Sequence, residues 1–213
     1  MRRTAEDRAM GVGFGGNAVF NRASPSSNPD CVARIVAEFL PAAGRPPRLL
    51  DIGGTAGGFR RLAALPPGSR LVIANPERGV GADYAYVQDM PPGEADFDLA
   101  MLFGVMMYLP PEDLLTLFRD VKQRLRGDGT LLVAEPDPEG VVGRVEVAAK
   151  TVYAAIVSLW NPTRFIFHTQ GAARALLRQA GFGRIRSRPD LRPGGQGFAP
   201  PPQPPYFVLA ARI

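Results

Sequence analysis

The sequence predicts an α/β fold: a doubly wound, largely parallel sheet with helices on both faces and an antiparallel hairpin at its end. Three observations carry that expectation. From residue 30 to residue 180, short apolar runs alternate with amphipathic helical stretches, the pattern of parallel strands joined by crossover helices. The first run, Arg48-Leu49-Leu50-Asp51-Ile52, passes directly into glycines, where sheets of this kind hold their ligands. The last two runs, 183–188 and 206–212, have no helix between them, which favours antiparallel pairing.

Each element follows from local chemistry. Residues 1–28 are polar and glycine-rich and read as a flexible N-terminal segment or lid, while 29–213 read as one domain, large enough to bury a core. Asp30 to Leu40 places Val32, Ile35, Val36 and Phe39 at helical spacing, with Asp30 as the expected N-cap and Pro41–Pro47 as the stop. Five strands are expected in parallel: 48–52, 70–74, 84–87, 97–103 and 130–134. A helix from Phe59 ends before Pro66-Pro67-Gly68. Only a short stretch separates Asn75 from Asp89, so a loop is expected there in place of a crossover helix. Pro111 to Leu125 is amphipathic, with Glu112 and Asp113 in its first turn and Lys122 and Arg124 in its last, an order that suits the helix dipole. Further helices are expected at Val141–Trp160 and Thr169–Ala180.

Composition narrows the function. The net charge is +5 with a pI near 9.9, yet the arginines are scattered and not interleaved with aromatics, so no nucleic-acid partner is expected. One cysteine, Cys31, excludes an intrachain disulfide and a cysteine-based zinc site, and the single His168 excludes a multi-histidine metal centre; no metal is expected. No apolar run approaches the roughly 18 residues of a membrane span, and the N-terminus lacks a signal-peptide core, so a cytoplasmic location is expected. Gly11-Val12-Gly13-Phe14-Gly15-Gly16 matches Gly-x-Gly-x-x-Gly, but no strand precedes it and no helix follows, so it fails the context of a dinucleotide site.

The chemistry centres on Asp51-Ile52-Gly53-Gly54-Thr55-Ala56-Gly57-Gly58. Glycines let the backbone approach a ligand closely. A phosphate would call for amides without a neighbouring carboxylate, so Asp51 points to a ligand with a cationic portion. Here the chain resembles the class I S-adenosylmethionine-dependent methyltransferases, whose first motif is Asp/Glu-x-Gly-x-Gly-x-Gly; this sequence supplies Asp51, Gly53 and Gly57, with Thr55 at the middle glycine. Phe97-Asp98-Leu99, Leu125-Arg126-Gly127-Asp128-Gly129-Thr130-Leu131 and Ala180-Gly181-Phe182 are similar to later elements of that family, in the family's order.

The resemblance implies a Rossmann-like domain that binds S-adenosyl-L-methionine. Asp51, Gly53, Gly54, Thr55 and Gly57 would cradle its methionine portion, Asn75 or Glu77 its ribose, and Asp89 with Met90 its adenine, and Phe103 is a further cofactor-binding candidate. It also implies methyl transfer to a small-molecule acceptor, aromatic or hydrophobic given Tyr153, Trp160 and Phe165–Phe167, in specialised natural-product metabolism. No Asn/Asp-Pro-Pro-Tyr/Phe sequence follows residues 97–103, which argues against a nucleobase amino group as acceptor. His168 is the one side chain with an unperturbed pKa near neutrality and is a candidate base, or else a residue that merely precedes the N-cap Thr169; Tyr108 is the second catalytic candidate. A homodimer is the candidate assembly. The rival readings are a cofactor-binding protein with a non-methylating reaction and a non-catalytic partner subunit.

Overall fold

The computed structural model describes residues 28–41, 44–139, 148, 165–191 and 206–213. The N-terminal lid (apart from Asn28), the Val141–Trp160 helix (apart from position 148), Tyr153 and Trp160 lie outside the described residues.

Six strands form one mixed sheet in the order β2-β1-β3-β4-β6-β5. They are β1 (Arg48–Ile52), β2 (Arg70–Ala74), β3 (Phe97–Phe103), β4 (Leu125–Pro136), β5 (Arg184–Ser187) and β6 (Tyr206–Arg212). The first four are parallel, whereas β6 runs antiparallel between β4 and β5. This is the expected hairpin end.

The expected strand at 84–87 is reduced to one parallel bridge, Ala74 to Tyr84. The cause is local. Asn75 Oδ1 accepts the Glu77 N–H at 2.9 Å, filling with a side chain the donor that a next bridge to residue 86 would use. The chain then tightens at once into a 3₁₀ turn, Val87–Asp89. The loop expected between Asn75 and Asp89 is therefore present, and the parallel part of the sheet is one strand narrower than expected.

Helix α1 (Pro29–Phe39) and the one-turn α2 (Phe59–Leu62) lie on one face; α3 (Pro111–Arg124) and α4 (Gln170–Gln179) lie on the other. Alternation within β3 serves both faces: Leu99, Met101 and Phe103 pack against Val32, Ile35 and Phe39, while Ala100 and Leu102 pack against Leu114, Phe118 and Leu177. Asn28, not Asp30, caps α1: its Oδ1 accepts from the Asp30 and Cys31 N–H groups at 3.0 and 3.1 Å, with Pro29 in the first position, where no donor is needed. Thr169 caps α4 through Ala172 N at 3.1 Å.

The amino ends of the parallel strands are locked by ion pairs. Arg45 pairs with Asp98, and both Arg48 and Arg70 pair with the buried Glu94. Arg124 donates to the carbonyls of Met90 and Glu94 at 2.7 and 2.8 Å. Asp98, near the start of β3, is part of this lock; burial alone would raise its pKa, but Arg45 and the Arg48 N–H hold it below the ordinary carboxylate value. The carboxyl ends are left for function. Among the described residues no helix is long and apolar enough to cross a membrane.

Candidate functional site

At the carboxyl ends the chain leaves β1 toward β2 on one side and reaches β3 on the other, so the turn after β1 lies at the point where the strand order reverses. Asp51 is the penultimate residue of β1. Its side chain is buried, its Oδ2 has no hydrogen-bond partner among the described residues, and desolvation pushes its pKa up to about 7. Such an atom is rare in a folded protein, because an unpaired buried polar group costs about 1–3 kcal/mol.

The turn is built around that carboxylate. Gly53 takes φ +76°, and a Cβ there would overlap Val105 Cγ2; a Cβ on Gly54 would overlap Asp51 Oδ2 itself. Both positions therefore require glycine, one for its backbone angle and both for space. A Cβ at Gly57 would meet nothing within 4 Å among the described residues. Thr55, at the position of the missing glycine, accepts the Gly58 N–H through its carbonyl at 3.0 Å and closes the turn.

Asn75 ties this turn to the loop after β2. Its Nδ2 donates to Gly54 O at 2.8 Å and its Oδ1 accepts from the Glu77 N–H at 2.9 Å. The buried Asn75 side chain is thus committed to positioning the backbone, which leaves the half-buried Glu77 as the acid at the end of β2. Asp89 is exposed at the end of the Val87–Asp89 turn. Met90 is buried in the core beside Val87, and Phe103 belongs to the core beneath α1.

On the other flank, the loop Gly104–Val105 leads from β3 into a 3₁₀ turn, Met106–Tyr108. Tyr108 meets Phe165 edge-on at a centroid distance of 5.5 Å, and Phe165 in turn lies 6.3 Å from Phe167. His168 is buried, and its Nε2 lies 3.0 Å from Leu109 O, so that nitrogen carries a proton and donates to a carbonyl, leaving only Nδ1 as a base. The Ile166 N–H donates to Met107 O at 2.8 Å, so residues 165–168 run along the loop after β3.

Sequence reasoning passed over Glu135. It is buried at the end of β4, and its Oε1 accepts from the Val105 and Met106 N–H groups, both at 2.6 Å. The available signal was an acid closing a strand at the ligand end of a parallel sheet, the same signal that singled out Asp51.

The fold is that of the class I S-adenosylmethionine-dependent methyltransferases. The chain aligns with an S-adenosylmethionine-dependent methyltransferase from Archaeoglobus fulgidus at TM-score 0.61 and 15% identity, over 94% of this chain and 99% of that one. It aligns with the 1,6-didemethyltoxoflavin-N1-methyltransferase of Burkholderia thailandensis, solved with 1,6-didemethyltoxoflavin and S-adenosylhomocysteine bound, at TM-score 0.58 and 20% identity, over 92% and 81% of the two chains. A third match is the apo form of the S-adenosylmethionine-dependent methyltransferase SibL, at TM-score 0.57 and 20% identity, over 79% of this chain and 50% of that one. The chain thus spans about half the length of SibL. No protein-family model and no curated protein matches the sequence.

Proposed function

We propose that the protein is an S-adenosylmethionine-dependent methyltransferase acting on a small molecule, of the kind made in natural-product metabolism. The observation that carries this reading is the buried Asp51 Oδ2, without a partner among the described residues, beneath a turn whose Gly53 and Gly54 admit no side chain. An orphaned carboxylate beside an open glycine backbone fits the cationic methionine end of S-adenosylmethionine and does not fit a phosphate. The residues present therefore suit the group.

Asp51 and the 53–58 turn would hold the methionine portion, Glu77 the ribose hydroxyls and Asp89 the adenine. Asn75 fixes the turn against the loop that carries Glu77. When bound, the cofactor supplies an electrophilic methyl group. The chain's contribution is to align the acceptor and exclude water. Tyr108 and Phe165 form a half-buried aromatic edge beside the loop after β3, which favours an aromatic or hydrophobic acceptor. A hydroxyl acceptor would have to lose a proton, and His168 Nδ1 is the candidate to receive it.

Incubation with methyl-labelled S-adenosylmethionine and a panel of phenolic, heteroaromatic and aliphatic acceptors tests this. Label is expected in an aromatic product. Tight cofactor binding with no transfer to any acceptor would favour the non-methylating reading.

A further inference from the structure

We propose that Glu135 is a positioning residue that couples the cofactor turn to the acceptor-side segment 165–168. The inference rests on the functional reading above for the identity of the two sides, and on contacts alone for the coupling.

A carboxylate buried at a strand end must be satisfied or neutralised. Glu135 is satisfied by the Val105 and Met106 N–H groups, the orphan donors at the start of the Met106–Tyr108 turn. One oxygen takes both, at the short distance of charge-assisted bonds. The neighbouring Gly104 N–H donates to Ala134 O at 2.8 Å, and Gly104 itself takes φ +69°. The loop after β3 is therefore fastened to the end of β4 at three consecutive amides.

That loop touches both halves of the site. Backward, the Val105 side chain fills the space that a Cβ on Gly53 would need, so it bears directly on the cofactor turn. Forward, Met107 O accepts the Ile166 N–H and Leu109 O faces His168 Nε2, so the loop carries the segment that presents Phe165 to Tyr108. Release of the Glu135 carboxylate frees Val105 and Met106, and through them both Gly53 and Ile166. Ile166 is diagnostic because its amide is held by Met107 O, one residue beyond the amides that Glu135 holds.

The test is amide hydrogen exchange on the ligand-free full chain, with S-adenosylhomocysteine affinity measured by calorimetry. In Glu135→Gln the Val105, Met106 and Ile166 amides are expected to exchange about tenfold or more faster than in the wild type. The Leu50, Leu102 and Val133 amides of the sheet should stay as protected as before, and S-adenosylhomocysteine should bind several-fold more weakly. Faster exchange at Val105 and Met106 with Ile166 unchanged would overturn the coupling and leave a local cap. Uniform acceleration across the sheet, or loss of folding, would overturn it in favour of a general stability role. Val105→Ala keeps the carboxylate and the amides it holds, and removes the methyl groups that face Gly53 along with part of their packing on the core. It should weaken S-adenosylhomocysteine binding without speeding exchange at Ile166, and unchanged affinity would overturn the cofactor-side half. Failure of the wild type to bind S-adenosylhomocysteine would instead count against the functional reading, while the exchange pattern would still judge Glu135.

Discussion

Asp51→Asn reads the site without any ligand. The wild-type carboxyl is buried with Oδ2 unpartnered, and desolvation moves its pKa from 3.8 to about 7. A carboxyl whose folded pKa lies above its unfolded value favours the folded state most at low pH, and that contribution is lost as pH rises through about 7. Integrated over the window from 3.8 to about 7, the ionised carboxylate costs on the order of 4 kcal/mol at pH 8. More than half of this loss, roughly 2–3 kcal/mol, falls between pH 5 and pH 8. Asparagine keeps the shape and cannot ionise, but leaves a buried amide that costs about 1–3 kcal/mol. Urea denaturation of the ligand-free protein should therefore show the variant gaining roughly 2–3 kcal/mol relative to the wild type on going from pH 5 to pH 8. The same variant should lose cofactor affinity, the signature of a site that holds a destabilising charge for its ligand. Parallel pH profiles for the two proteins would refute the claim that Asp51 is an unpaired buried carboxyl.

Gly54→Ala drives a methyl group into the Asp51 carboxylate, so cofactor binding should fall by tenfold or more in calorimetric titration. Asn75→Ala cuts the link between the turn and the loop after β2; unfolding should cost about 1–3 kcal/mol less by urea denaturation, and cofactor affinity should fall with it. A cationic ligand needs Asp51 ionised, so affinity should be flat above pH about 7 and weaken by up to tenfold per pH unit below it.

Much of this molecule was legible in its sequence. The sheet, its hairpin and the glycine turn follow from patterns within a few residues of one another: apolar runs of strand length, the glycines after Asp51, and a Pro/Gly-rich sequence without helical periodicity before Tyr206. What escaped depends on partners far along the chain. The strand expected at 84–87 has suitable side chains, yet it makes one bridge, Ala74 to Tyr84, before the chain tightens into the Val87–Asp89 turn. Asn75 and Glu77 could not be ranked until the Gly54 carbonyl was seen to occupy Asn75. Asp98 and Glu135 both flank apolar strand residues, and only the fold shows that one faces Arg45 at the closed end while the other holds Val105 at the open one. The cap of α1 moved for a local reason: Asn28 precedes Pro29, and proline in the first helical position shifts the boundary to its predecessor.

The central claim is that Asp51 and its glycine turn hold S-adenosylmethionine. Parallel calorimetric titration of S-adenosylmethionine into the wild type and Asp51→Ala tests it most directly. The account predicts one-to-one binding to the wild type and an affinity lower by tenfold or more, about 1.4 kcal/mol, in the variant. Equal affinities, or no binding to the wild type, would contradict it.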